Sequence, residues 1–174
     1  MRILNFLKLP VLLFICFSLS SAQKEKSSGK YQCLPCGQAC DTKMYDEPGK
    51  CGGCGMNLVT ASTISFKTIG PNSVCDYIEK HPGAILLDVR TKEEFEGKGM
   101  PDFGTMKNAI NIPVQELERR VTELKEYKTK EIIVYCSHSH RSPQAAYILT
   151  QNGFSSVKNM SGGMSEFTGG SCKK

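Results

Sequence analysis

Two groups of cysteines in this chain are spaced for chemistry. The stretch YCSHSHRS, Tyr135 to Ser142, gathers a thiol, two imidazoles and a guanidinium. Cys136 ends the apolar run EIIVY, and Ser142 and Pro143 suit the N-cap and first position of a helix. The thiol therefore stands between a strand end and a helix start, where ligands collect in open α/β sheets. Free backbone N–H groups and the positive end of the helix stabilise both a thiolate and a bound anion. Arg141 adds a fixed charge, so the loop is built for a nucleophilic cysteine. The competing reading is a buried structural cysteine beside two surface histidines. Cysteine, loop, arginine and helix start together favour the reactive one. His138 and His140 are read equally as donor contacts or as plain loop side chains.

The second group lies near the start. YQCLPCGQAC and KCGGCGMNLV carry two C-x-x-C pairs, Cys33 with Cys36 and Cys51 with Cys54, fourteen residues apart. Each pair can present two thiolates, and two pairs close a four-cysteine site. Zinc is the first expectation, and Cu(I) also suits soft thiolates. Two disulfides are the alternative. Residues 31–60 hold little apolar content and need such a staple. Cys40 is read as a spare thiol, Cys75 as a buried helix residue and Cys172 as an idle tail thiol, with a disulfide or a resolving role as its alternatives.

Strands and helices must alternate to position these groups. TISFKTI reads as a strand, PNSVCDYIEKHPG as a helix and AILLDV as a strand covered on both faces. TKEEFEG opens a helical turn with Thr91 as N-cap and Glu94 three residues on. NAINIP is a short strand, VQELERRVTELKEY a periodic helix, EIIVYC a buried strand, PQAAYILTQN a helix and SVKNM a last strand. The pattern predicts an α/β fold with an open, mainly parallel five-stranded sheet and helices on both faces. Asp88 and Arg90 are read as structural, and Glu94 as a capping or surface residue.

The chain has 174 residues, room for one domain and a small addition. Arg2 and Lys8, the apolar run Leu9 to Leu19 and the small residues Ser20 to Ala22 read as a cleavable export signal over 1–22. That run is too short for a comfortable membrane span, so no stable span is expected after cleavage. Ile15 is too bulky for Cys16 to be a lipidation site. Losing Arg2 and Lys8 takes the formal net charge from +5 to +3, which gives no argument for nucleic acid. Residues 23–30 read as a linker, 31–60 as a cysteine-rich module and 61–174 as the main domain, in an exported protein.

YCSHSHRSPQAAYIL resembles the active-site segment of the rhodanese domain. LLDVRTKEEFEGKG, NAINIP and GGMSEF resemble that family's other motifs in order, and together they span about residues 62 to 170. The resemblance implies a sulfurtransferase. Cys136 takes sulfur from a small anionic donor such as thiosulfate and passes it to cyanide or a thiol. Arg141 orients the loop or binds the anion, and Ser137, His138, Ser139, His140 and Ser142 form the substrate cradle. Four residues separate Cys136 from Arg141, whereas the similar phosphatases and arsenate reductases have five, so the loop favours sulfur. The sequence departs from the family at Ser139, often glycine there, at Thr105 and Asn108, and in the MPDF insertion. The head resembles the small heavy-metal-binding domain found beside metal-efflux proteins, with Tyr31, Cys33, Pro48, Gly49, Cys51, Cys54, Gly55 and Met56 matching and Cys36 in place of histidine. That implies a heavy-metal ion as partner. A metal-binding or redox-sensing protein with a docking domain is the alternative function.

Overall fold

The computed structural model describes residues 30–174. The expected export signal lies outside them, as do all but the last residue of the linker. The head holds three two-residue strands, β1 (Tyr31–Gln32), β2 (Met44–Tyr45) and β3 (Val59–Thr60), in an antiparallel sheet ordered β2-β1-β3. The main sheet holds β4 (Lys67–Ile69), β5 (Ile85–Asp88), β6 (Ile110–Asn111), β7 (Glu131–Tyr135) and β8 (Ser156–Met160). Its order is β4-β8-β7-β5-β6, with every pair parallel.

Alternation along the strands divides the core into two layers. Leu87, Ile132 and Val134 face one side, where α3 (Val114–Arg120), α4 (Arg141–Gln151) and the head cover them. Leu86, Ile133 and Tyr135 face the other, against α1 (Val74–Lys80), Met160, Met164 and Phe167. This is the expected α/β sheet with helices on both faces. The long helix expected over 114–127 is instead α3 followed by 3-10 turns over Val121–Tyr127, which still bury Leu124.

The head shares the α3/α4 layer. Cys33, Leu34, Cys36, Cys51, Met56 and Leu58 belong to the same apolar cluster as Cys136, Ala145 and Leu149. The Asn159 side-chain amide donates to the Pro35 carbonyl at 3.1 Å across this junction. Cys75 and Cys172 are joined in a disulfide spanning 97 residues. This corrects the idle-tail reading of Cys172: the chain end folds back so that the Cys172 N–H meets the Cys75 sulfur. Among the described residues no helix is long and apolar enough to cross a membrane.

Candidate active site

The Cys136 loop is shaped by its neighbours on three sides. Strand β7 delivers Cys136 to the end of the sheet, and α4 begins at Arg141, one residue before the expected N-cap Ser142. From this first turn the Arg141 guanidinium folds back over the loop to Ser137. Pro143 still falls within that turn, where its missing N–H costs nothing. Ser142 sits buried in the helix with its hydroxyl 3.4 Å from the Cys136 sulfur.

Along the loop burial alternates. Cys136, Ser137 and Ser139 are buried, and His138 and His140 are exposed. Ser139 has φ 55°, the left-handed region where this family often has glycine. Its hydroxyl accepts from the Asn159 amide at 3.1 Å, which fixes that conformation. Asn108 likewise adopts φ 59° in place of the usual glycine, a conformation asparagine tolerates.

The Gly162-Gly163 segment closes the third side. Met164 N–H donates to the Cys136 carbonyl at 2.8 Å, and Ser165 N–H to the Ser137 carbonyl at 2.9 Å. Gly163 has φ 68°, and a Cβ there would lie 2.4 Å from the Ser137 carbonyl oxygen. With the carbonyls held on that side, the N–H groups of residues 137–140 donate to no group among the described residues. Such a loop suits an anion.

Arg141, expected to orient the loop or bind the anion, ties the loop to Glu94. Its two terminal nitrogens grip the Glu94 carboxylate at 2.6 and 2.8 Å, and one also reaches the Ser137 hydroxyl at 2.9 Å. Ser137 in turn donates to Glu94 at 2.7 Å. The Arg141 guanidinium, with the Ser137 hydroxyl and Thr91 N–H, holds the Glu94 carboxyl well below the usual carboxylate range. Glu94 also completes the capping box of α2 (Lys92–Phe95) with Thr91, as expected. Its tie to the loop is the contact that sequence reasoning missed.

Asp88 and Arg90 form a buried ion pair, with the Arg90 Nη2 2.6 Å from Asp88 Oδ2. Arg90 also donates to the Gly104 carbonyl, and Asn111 caps the carbonyls of both residues. This bears out their structural reading. His138 stacks edge-on against Phe103 of the MPDF insertion, ring centres 5.4 Å apart.

The head brings its own thiols together, with one substitution. Cys33, Cys40, Cys51 and Cys54 have sulfur atoms all within 4.8 Å of one another. Cys36, expected in this set, lies outside it and groups instead with Cys40 and Asp41. Asp41 accepts from the N–H groups of Cys36 and Gly37 at 3.0 and 2.7 Å and from the Cys36 thiol at 3.3 Å. The 3-10 turn Ala39–Thr42 swings Cys40 inward instead. Gly53 permits it, since a Cβ there would meet the Cys40 Cβ at 2.9 Å. Burial pushes the Cys33 and Cys36 thiols up, and Cys40 to about 11. Burial also opposes ionisation of Cys51. The N–H groups of Cys54 and Gly53 and the Tyr45 hydroxyl overcome it, lowering that thiol to about 6. Four converging thiols are a donor set that fits a thiophilic metal.

Head and loop face each other across a cleft of about 420 Å³. Cys40 and Cys54 line one wall, His138 and His140 the other.

The rhodanese-like domain family matches residues 71–169. A tRNA uridine(34) hydroxylase of Hamiltonella defensa is 30% identical over 128 residues, 67% of this chain and 34% of that protein. The uncharacterized protein YqhL of Bacillus subtilis is 37% identical over 86 residues, 49% of this chain and 62% of that one. The solved structure of a rhodanese-related protein from Thermoplasma volcanium is 29% identical, with a TM-score of 0.48 over 59% of this chain and 90% of its own. The chain spans about a third of the length of the tRNA hydroxylases it matches. With the family match covering more than half of its residues, the chain belongs to the rhodanese-like domain family.

Proposed function

We propose that this chain is a sulfurtransferase that carries sulfane sulfur as a persulfide on Cys136. The observation that carries the reading is the loop itself. A buried cysteine is followed by four residues whose N–H groups are left for an anion, and Arg141 is locked to Glu94. The Cys136 thiolate attacks the outer sulfur of a donor such as thiosulfate. The donor's S–S bond breaks, and sulfite leaves with the bonding electrons. The persulfide's terminal sulfur keeps one negative charge, which the loop N–H groups hold. Cyanide or a thiolate then attacks that sulfur, leaves as thiocyanate or a persulfide, and regenerates the Cys136 thiolate. His138 and His140 stand at the cleft mouth, placed to contact the donor or acceptor. No metal is needed for either step. The four-residue loop favours this reading over phosphatase or arsenate-reductase chemistry, and the intact Cys136 loop favours it over a docking module.

The test is thiocyanate formation from thiosulfate and cyanide, with a persulfide mass on Cys136. Activity retained by Cys136→Ser would sink the proposal. The tRNA activity named for the relatives belongs to proteins of which this chain matches about a third, and it is not carried over. Export is part of the same reading, supported by the Cys75–Cys172 disulfide, which suits an oxidising compartment. An intact mass beginning at Gln23 is expected for protein recovered from its native source. A mass retaining residues 1–22 would refute cleavage.

A further inference from the structure

We propose that Cys33, Cys40, Cys51 and Cys54 hold one thiophilic metal ion of the zinc class, and that this ion fixes the head's wall of the cleft opposite His138 and His140. Geometry comes first. Zinc–sulfur bonds are about 2.3 Å, so in a tetrahedral site the sulfurs lie about 3.8 Å apart. Four sulfurs already within 4.8 Å of one another need only small side-chain adjustments to reach that spacing. Cys33 and Cys54 come from different knuckles and already approach to 3.1 Å.

Crowding is the second observation. The four thiols converge from both knuckles and from the turn between them without being joined to one another. Thiols gathered this way can be held together as thiolates by one soft metal ion. The third is packing. The head's strands are two residues each, too short to hold a sheet without a further tie. The knuckle Cys51–Met56 is closed by hydrogen bonds from Cys51 N–H to the Met56 carbonyl and from Gly55 N–H to the Cys51 carbonyl. A metal would join that knuckle to Cys33 and Cys40, and so hold Cys40 and Cys54 in place across the cleft.

The experiment uses the full chain with zinc or cobalt(II) as the only metal supplied. One equivalent of zinc per chain is expected. The cobalt form should show the intense thiolate-to-metal absorption of a four-sulfur site. Cys40→Ser should weaken binding by at least about tenfold, because even partners outside the ligand shell are worth that much. Cys36→Ser should keep one equivalent and the same spectrum. The chain has three histidines, so their ring protons report position. Cobalt should shift those of His138 and His140 and leave His81, at the end of α1, in place. In wild-type protein, a chelator should expose Cys33, Cys40, Cys51 and Cys54 together to alkylation, whether or not the Cys40 variant folds. Metal lost from Cys36→Ser but kept by Cys40→Ser would overturn the proposal. So would disulfides among the four, Cys40 reactivity unchanged by chelation, or cobalt shifts that do not distinguish His138 and His140 from His81. None of these readouts depends on sulfur transfer.

Discussion

The molecule uses cysteine in two opposite settings. At the end of β7 a single thiol is buried against the Ser142 hydroxyl, and everything that fixes it is supplied by the fold: Gly163 behind it, Glu94 and Arg141 beside it, Asn159 beneath Ser139. In the head the thiols themselves converge, with strands of two residues around them. The difference teaches where each cysteine's value lies. Changing Cys136 is expected to cost chemistry and little structure. The head cysteines stand where a larger domain would have a core.

The sharpest test of that contrast is Cys136→Ser. It should abolish thiocyanate formation while changing stability by less than about 1 kcal/mol in denaturant titration. A variant that fails to fold would place Cys136 with the head thiols and break the contrast. Gly163→Ala should follow, destabilising by roughly 3 kcal/mol or more, because it adds a carbonyl clash to a left-handed φ. Glu94→Gln should cost about 1.5–3 kcal/mol at neutral pH by weakening the charged grip on Arg141. The Glu94 carboxyl is depressed in the folded chain, so its contribution is fully present above the unfolded value of about 4.3. It is lost as pH falls through the lower folded value. Wild-type and Glu94→Gln stability curves should therefore run parallel above pH 5 or so and converge in stronger acid. His138→Ala should have the smallest effect, within about 0.5 kcal/mol on stability because the side chain is exposed. A change confined to KM would assign it to donor or acceptor contact.

What could be read from sequence follows the range of each interaction. The Cys136 loop was legible because strand, thiol, arginine and helix start are contiguous. The Thr91–Glu94 capping box spans three residues and was legible too. The Glu94–Arg141 pair, 47 residues apart, left no local signal. The choice of Cys40 over Cys36 was hidden for another reason. C-x-x-C spacing points to Cys36, and only the folded turn shows Asp41 capturing that thiol while Gly53 admits Cys40. The tail disulfide and the Asn159–Pro35 bond cross 97 and 124 residues, beyond any spacing rule.

Asn159 has a consequence for how the chain can be divided. Its amide spans Pro35 in the head and Ser139 in the loop, and it is fully buried between them. The boundary at residue 60 is thus not a place to cut. A fragment of residues 61–174 would bare the apolar wall that Leu34 and Leu58 cover and strip one partner from the amide beneath Ser139. Light scattering should show that fragment self-associating more than the whole chain at the same concentration.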